Sequence, residues 1–445
     1  MSDPTPATED SVDEVRDGGV RDGVFPSPEF RWFFAGETVS SFGSYVTLLA
    51  LQTLVVVTLD GTAQQVGWLN SSRWLPYLVL GLVVGAWVDR WPRRPVMVGS
   101  DLLRAALLCA IPVAWWTGVL TLALLLAVVV VFGAVSVVND AASQSFVPRL
   151  VPRRHLQPAH ARLDAGDAVA QTSGPALAGG LVTLVGAPAA VLVDAATYVF
   201  SAGVVAALPV AEPPRARPEG ERPHLGSEVA QGLRWVYRDS GLTRLAVSTH
   251  VWFAGQAAVG VVVAPYALLV LGLSPFQLGV AAALAGVGAV LGALVTGRVG
   301  RWLGTGGAIV CAHLLSAAGA LTMAAAGLVR DAEDWLVVGV LGAGHLLHGI
   351  GMGVSNSHEM SYRQLLTPDR LQARTNITMR SLNRAVVVVG APVAGLLVGL
   401  EGSGSTLVMA AVVFAVSAAI LLLSPLRSDR STVDSGHSAH EGSRG

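Results

Sequence analysis

From about residue 32 the chain alternates long apolar runs with short polar breaks, and that rhythm sets the expected architecture. Twelve runs are predicted as helices, near 32–58, 65–88, 96–116, 119–144, 160–184, 188–209, 243–271, 276–298, 306–329, 335–357, 374–399 and 405–425. Most approach the ~20 residues that carry a helix across ~30 Å of hydrocarbon. Ten or eleven spans with one re-entrant segment is the alternative count. The polar stretches divide the chain into a tail (1–28), a first bundle (29–210), a linker (211–242), a second bundle (243–426) and a second tail (427–445). The expected fold class is an all-α polytopic membrane protein, with twelve transmembrane helices in two pseudo-symmetric six-helix bundles.

Arginine placement orients this arrangement. Segments near 89–95, 146–162, 211–244, 298–302 and 361–384 hold nearly all the Arg, whereas the alternating loops LDGTAQ, TGV, VGAP, LGLSP and EGSGS hold none. The exception is Arg330, which stands among three acids in RDAED at 330–334. The positive-inside rule then places both termini in the cytoplasm. Residues 1–28 are acidic, with no basic leader region and no cleavage site, so they read as a cytoplasmic tail and not a signal peptide. In SEVAQGLRWVYR (227–238), Val229, Leu233 and Val236 share one helical face. That pattern suits either a short helix at the membrane interface or a solvated connector.

Composition agrees with the pattern. The chain is 52% hydrophobic and 13% charged, with mean hydropathy +0.58, against about 25% charged in soluble domains. A net charge of −1 gives no case for nucleic acid. Cys109 and Cys311 stand alone in separate apolar segments, so neither a disulfide nor a metal site is expected. No G-x-x-x-x-G-K-[ST] occurs, so nothing in the chain resembles an ATP site. No cofactor is expected.

The chain also repeats itself. Residues 139–182 and 355–398 share a pattern at a separation of 216: Pro152 answers Pro368, Gly174 answers Gly390, and AGGLV (178–182) answers AGLLV (394–398). Upstream, AQQVG (63–67) answers PFQLG (275–279). The repeat predicts two structurally related halves joined by the linker.

Between the second and third runs lies GLVVGAWVDRWPRRPVMVGSDLLR (81–104), two apolar runs joined by a charged elbow. Its G-x-x-x-D-R-x-x-R-R spacing, Gly85, Asp89, Arg90, Arg93 and Arg94, resembles the loop 2–3 signature of the major facilitator superfamily. RWLPYLVL (73–80), DLLRAA (101–106), SFVPRLVPRRHLQPAHARLDAG (145–166), SGPALAGGLV (173–182) and VDAATYVFSA (193–202) are similar to the branch that includes the enterobactin exporter and related bacterial effluxers. The resemblance implies a secondary transporter of the bacterial inner membrane, a monomer in the lipid bilayer that takes a small-molecule substrate and protons as partners and exports a drug, siderophore or secondary metabolite by proton antiport. It also implies that Asp89 latches near Thr375–Arg380, and that the first, fourth, seventh and tenth spans line the central cavity. A proton-coupled uptake symporter is the alternative. A membrane enzyme or receptor is the other class, with His358–Glu359 its only candidate pair. In the second half Arg301 stands where Asp89 stands in the first, so the elbow acid is not repeated.

Ionisable groups inside apolar runs need a partner, a watery cavity or a function. Glu37 lies about 10 Å into the first span, on a stripe with Ser40, Ser44 and Thr47, and Gln52 lies further up. It is either a proton-titratable carboxylate facing the pathway or part of an ion pair locking helices. Asp164 and Asp167 open the fifth span and answer Arg380 and Asn383 in the repeat, so they are further proton-coupling candidates, one side of a breakable bridge between halves, or solvated charges at a helix end. Ser44, Gln52, Arg73, Trp252, Gln256, His345 and His348 are the candidate cavity residues, with His250 beside them. Arg73 has Asp194 at similar depth as a partner. Asp101 and Arg104 share a helix face and form a candidate charge cluster with Asp140.

Overall fold

The computed structural model describes residues 27–88, 91–210 and 225–423. Its regular elements there are all helical: α1 (Pro28–Thr53), α2 (Ala63–Val88), α3 (Arg93–Trp116), α4 (Leu122–Leu150), α5 (Leu156–Val185), α6 (Ala187–Ala207), a linker helix (Leu225–Arg234), α7 (Thr243–Pro265), the bent helix Pro275–Ala325, α10 (Asp334–Leu366), α11 (Asp369–Glu401) and α12 (Ser403–Leu422). The bend lies at Gly304 (φ 70°, ψ 170°), which divides that helix into α8 (275–303) and α9 (305–325). A left-handed φ of this kind costs glycine nothing and any residue with a Cβ a good deal. By length and composition, ten described helices qualify as membrane spans, with the bent helix counted once.

Several helices run past the apolar stretches that predict them. α4 continues to Leu150, α10 continues to Leu366, and α11 starts at Asp369. Hydropathy marks only the part of a helix lying in hydrocarbon, whereas backbone hydrogen bonding carries the helix on into the polar zone. The spans are apolar all round because lipid takes one face and protein the other. On α12, Val408, Val412 and Val416 are exposed while Leu407, Ala411, Phe414 and Ala418 are buried.

Successive helices run in opposite directions, so α1 begins and α12 ends on one face, called here the linker face. The opposite, short-loop face carries the turns at 59–62, 117–121, 271–274 and 330–333 and the single-residue breaks at Gly186 and Gly402. In the first half α1 packs on α5 and α6, α2 on α4, and α3 on α4 and α6. In the second half α7 packs on α11 and α12, and the bent helix packs on α10 and α12. The halves meet along α2–α11 and α5–α8.

The internal repeat is visible in backbone geometry. α1 and α7 both end in a π-helical turn, Leu54–Thr58 and Tyr266–Val270. The bonds that close them recur 212 residues apart: Gly61 N to Val55 O answers Leu273 N to Ala267 O. Gly186 (φ 80°) breaks α5 from α6 as Gly402 (φ 84°), 216 residues on, breaks α11 from α12.

The segment 227–238 is helical. It forms the end of the linker helix and a π-turn at Trp235–Asp239, and it is docked on the second half. Val236 is fully buried with Ala246 and Met379, and Arg374 Nη1 donates to Gln231 Oε1 at 2.5 Å. Burial pushes the Tyr237 phenol up from its ordinary pKa, so at neutral pH it carries the proton it shares with His250 Nε2 at 2.5 Å. His250 Nδ1 is then the donor to Asn383 Oδ1 at 2.6 Å.

Candidate substrate cavity and charge networks

The two half-to-half seams are closed on the short-loop side by glycines that belong to the repeat. A Cβ on Gly67 would collide with the Ala391 carbonyl, and one on Gly395 would collide with Ala63 and Gln64. Across the other seam, a Cβ on Gly279 would collide with the Pro175 carbonyl, and one on Gly179 would meet Pro275 and Phe276. Gly286 lies against the Thr172 backbone, further toward the linker face. Small residues let backbones touch here, which is how helices seal against one another in lipid.

On the linker side of that crossing α5 and α8 part, and a cavity of about 680 Å³ lies between α5, α7, α8 and α10. Asp167 and Gln171 reach it from α5, Thr249, Trp252 and Gln256 from α7, and Glu359 from α10. Val290, Leu294, Met352 and Phe253 form its apolar side. Of the residues singled out from sequence, Asp167, Trp252 and Gln256 thus share one cavity wall. Asp164 is exposed one turn nearer the linker face and is not part of that wall.

Behind Glu359 lies a network that sequence spacing did not reveal. Glu359 Oε2 accepts from Thr249 Oγ1 at 2.9 Å, and Oε1 accepts from Ser355 Oγ at 2.5 Å. His313 Nε2 stands 3.4 Å from the same Oε1. His313 itself is fully buried, with Nδ1 2.8 Å from Ser417 Oγ and 3.4 Å from Ser248 Oγ. Four helices, α7, α9, α10 and α12, thereby hold one carboxylate at the cavity wall. Trp252 is fixed beside it by Nε1 donating to Ser316 Oγ at 3.2 Å.

His345 and His348 do not line this cavity. His345 Nδ1 is bonded to the Leu341 carbonyl at 3.0 Å, and His348 is stacked on Trp252 (5.8 Å, 6°) and packed on Phe414. Helical spacing places the two on one face of α10, but that face is turned into the second bundle. His313, alone in an apolar run, was the histidine to follow.

The first half holds its own network. Arg104 pairs with Asp101, both are buried, and the guanidinium lies 4.1 Å over the Tyr198 ring. Asn139 Nδ2 donates to Asp101 Oδ1 at 3.1 Å. Asp140 accepts from Tyr77 OH at 2.7 Å. Glu37 is half-buried, 3.5 Å from Ser143 Oγ, with Asp101, Arg104 and Asp140 near enough to act on it electrostatically. The cluster expected from Asp101, Arg104 and Asp140 therefore also takes in Glu37, three carboxylates around one arginine.

Ser44, Gln52 and Arg73 line a separate pocket of about 40 Å³ inside the first bundle, so they are not walls of the cavity between halves. Such a volume has room for a water molecule and not for an organic solute. Asp194 lines the same pocket, but its hydrogen bond is to Thr197 Oγ1 at 3.1 Å, and Arg73 lies 5.7 Å over the Trp74 ring. Ser44 Oγ meets Tyr198 OH at 3.1 Å. Gln52 Nε2 crosses to the Gly260 carbonyl of the second half at 3.2 Å.

Nor does the acid–base bridge between Asp164 or Asp167 and Arg380 or Asn383 form, because Asn383 is taken by His250 and Arg380 lines another cavity. The cationic link between halves is instead Arg384 of α11, 4.5 Å over Tyr77 and 5.8 Å over Trp74 of α2. Asp140, Arg380 and Arg384 share that cavity, of about 300 Å³.

Twelve helices, a repeat carried into backbone geometry and a cavity between halves sealed at one end describe a transporter architecture, and the sequence comparison settles which. Residues 33–385 match the Major Facilitator Superfamily. The chain belongs to that superfamily. It is similar to the MFS-type transporter YfiS of Bacillus subtilis, 27% identical over 59% of this chain and 62% of that one. It is also similar to macrolide efflux protein A of Streptococcus pyogenes, 23% identical over 49% of this chain and 53% of that protein. The chain thus matches less than two thirds of the length of either relative. Its fold resembles that of the nucleoside transporter NupG, with TM-score 0.69, 11% identity, and 89% of this chain and 98% of that chain covered. The protein is a multi-pass membrane transporter of the major facilitator fold, and not an enzyme.

Of the superfamily's loop 2–3 motif, Asp89 and Arg90 lie outside the described residues, and Gly85 sits within α2. Arg93 is buried at the start of α3, and Arg94 Nη2 donates to the Ala206 carbonyl in the last turn of α6. Cations near a helix C-terminus satisfy carbonyls that have no partner within the helix. Arg94 therefore ties α3 to α6. α11, where the latch is expected, also carries the docked linker helix, with Gly232 packed on Thr378 and the Arg374 backbone.

Proposed function

We propose that this transporter exports an amphipathic small molecule by alternating access, driven by protons returning in the opposite direction. The observation that carries the reading is the cavity of about 680 Å³, reached from the linker face and closed at the short-loop face by repeat-related glycine contacts. With the arginine-rich face in the cytoplasm, this is the conformation that collects a solute from inside a bacterial inner membrane. The match to a protein named for macrolide efflux supports export of a bulky amphipathic solute, and a siderophore or secondary metabolite has the same two-sided chemistry. Asp89 would latch α11 when the linker face closes.

Coupling is assigned to Glu37. It sits where three carboxylates share Arg104, so each proton gained or lost changes the net charge of a buried network. The test is flux in proteoliposomes. Glu37→Gln is expected to abolish uphill transport of an amphipathic dye under a pH gradient, while leaving energy-independent exchange of dye in place. Undiminished gradient-driven accumulation would remove Glu37 from the proton path, and accumulation in the reverse sense would make the protein an uptake symporter.

A further inference from the structure

We infer that the cavity between α5, α7, α8 and α10 is a binding site for lipophilic organic cations, with Asp167 and Glu359 as the two charge-recognising groups. The inference rests on the transport reading for its biological sense, but not for its test. The charged side chains at the wall of this cavity are Asp167 of the first half and Glu359 of the second, both carboxylates, and no Arg or His side chain is among the described lining residues. His313 stands behind Glu359 with no exposed surface. Arg363 lies one turn nearer the linker face, with its Nη2 on Met360 Sδ at 2.9 Å. Among the described lining residues an anion would meet two acids and no basic side chain, and a cation would meet a carboxylate on each half.

Both Glu359 oxygens are supplied with donors, from Thr249 and Ser355. Donors to both oxygens suit an acceptor-only, ionised carboxylate. The opposite wall is apolar, with Val290 and Leu294 on α8 and Phe253 set edge-on to Trp252 at 5.2 Å between centroids. An aromatic edge and face beside a carboxylate is a setting in which a delocalised cation gains from both. The volume lies within the roughly 300–1,000 Å³ of sites for organic ligands. Selection here comes as much from refusing negative charge as from attracting positive charge.

The test is calorimetric titration of the purified full-length chain with tetraphenylphosphonium and with tetraphenylborate, which share shape and apolar surface but differ in charge. Saturable binding of tetraphenylphosphonium and none of tetraphenylborate is expected. Asp167→Asn and Glu359→Gln should each weaken tetraphenylphosphonium binding about tenfold or more, while Asp167→Glu and Glu359→Asp retain most of it. Equal binding of the two probes, or amide variants that bind tetraphenylphosphonium as well as the parent does, would overturn the inference. The two-probe comparison needs no variant, so misfolding of a variant leaves it decisive. Charge-selective binding without pH-driven flux would uphold the site and sink the transport reading. Pumping of anionic dyes by a chain that ignores tetraphenylphosphonium would do the reverse.

Discussion

Arg104→Met is expected to destabilise the protein by about 3–5 kcal/mol, the usual cost of removing one partner from a buried ion pair. Arg104 is the cation that balances Asp101, and Glu37 and Asp140 lie within its electrostatic reach. Without it Asp101 keeps the Asn139 amide at 3.1 Å, a neutral donor that cannot balance a charge in a site the membrane keeps dry. Methionine can cover the Tyr198 ring that the guanidinium now covers, so the loss reports charge and not packing. Adding Asp101→Asn to Arg104→Met should recover part of the stability, because the stranded charge is then gone, and a double-mutant cycle isolates the pair. Thermal unfolding of the solubilised protein reads this out directly. A single variant melting within a degree of the parent would show that the network is water-filled and the pair dispensable.

The second large effect is conformational. Gly279→Trp is expected to prevent closure of the short-loop face, because the new side chain would have to occupy the space of the Pro175 carbonyl and the Gly179 backbone. Backbone cannot move aside as a flexible side chain can. Overpacking costs about 1–3 kcal/mol even where a core adjusts, which at about 1.4 kcal/mol per decade shifts a two-state ratio roughly five- to hundredfold. Transport should fall accordingly while the protein still inserts and folds, since the face has room when open. A cysteine at Gln64, beside Gly395 on the other seam, should become more reactive toward a membrane-impermeant maleimide added on the short-loop side. Normal flux with unchanged labelling would mean that this seam never opens.

Much of the fold was legible in the sequence because its strongest constraints are periodic and local. Apolar runs marked the spans, and the repeat paired AGGLV (178–182) with AGLLV (394–398), though not that their Gly179 and Gly395 seal equivalent crossings between the halves. The site was harder to read. Glu359 draws Thr249, His313 and Ser355 from three helices, and a single sequence carries no sign of which helices adjoin. The His345/His348 spacing showed that the two share a face but not that the face is turned inward onto Trp252. Depth along the membrane brought Arg73 and Asp194 to one pocket, yet equal depth does not make a contact, and Thr197 holds Asp194.

On this proposal the two halves rock about the cavity, opening one face as the other closes. Spin labels at His160 and Arg298 span the linker-face ends of α5 and α8, and labels at Thr62 and Ser405 span the short-loop face. With Cys109 and Cys311 replaced by serine, pulsed electron paramagnetic resonance gives both distances in lipid with and without a pH change. His160–Arg298 is expected to shorten in the same population in which Thr62–Ser405 lengthens. Two distances that stay fixed, or that rise and fall together, would contradict it.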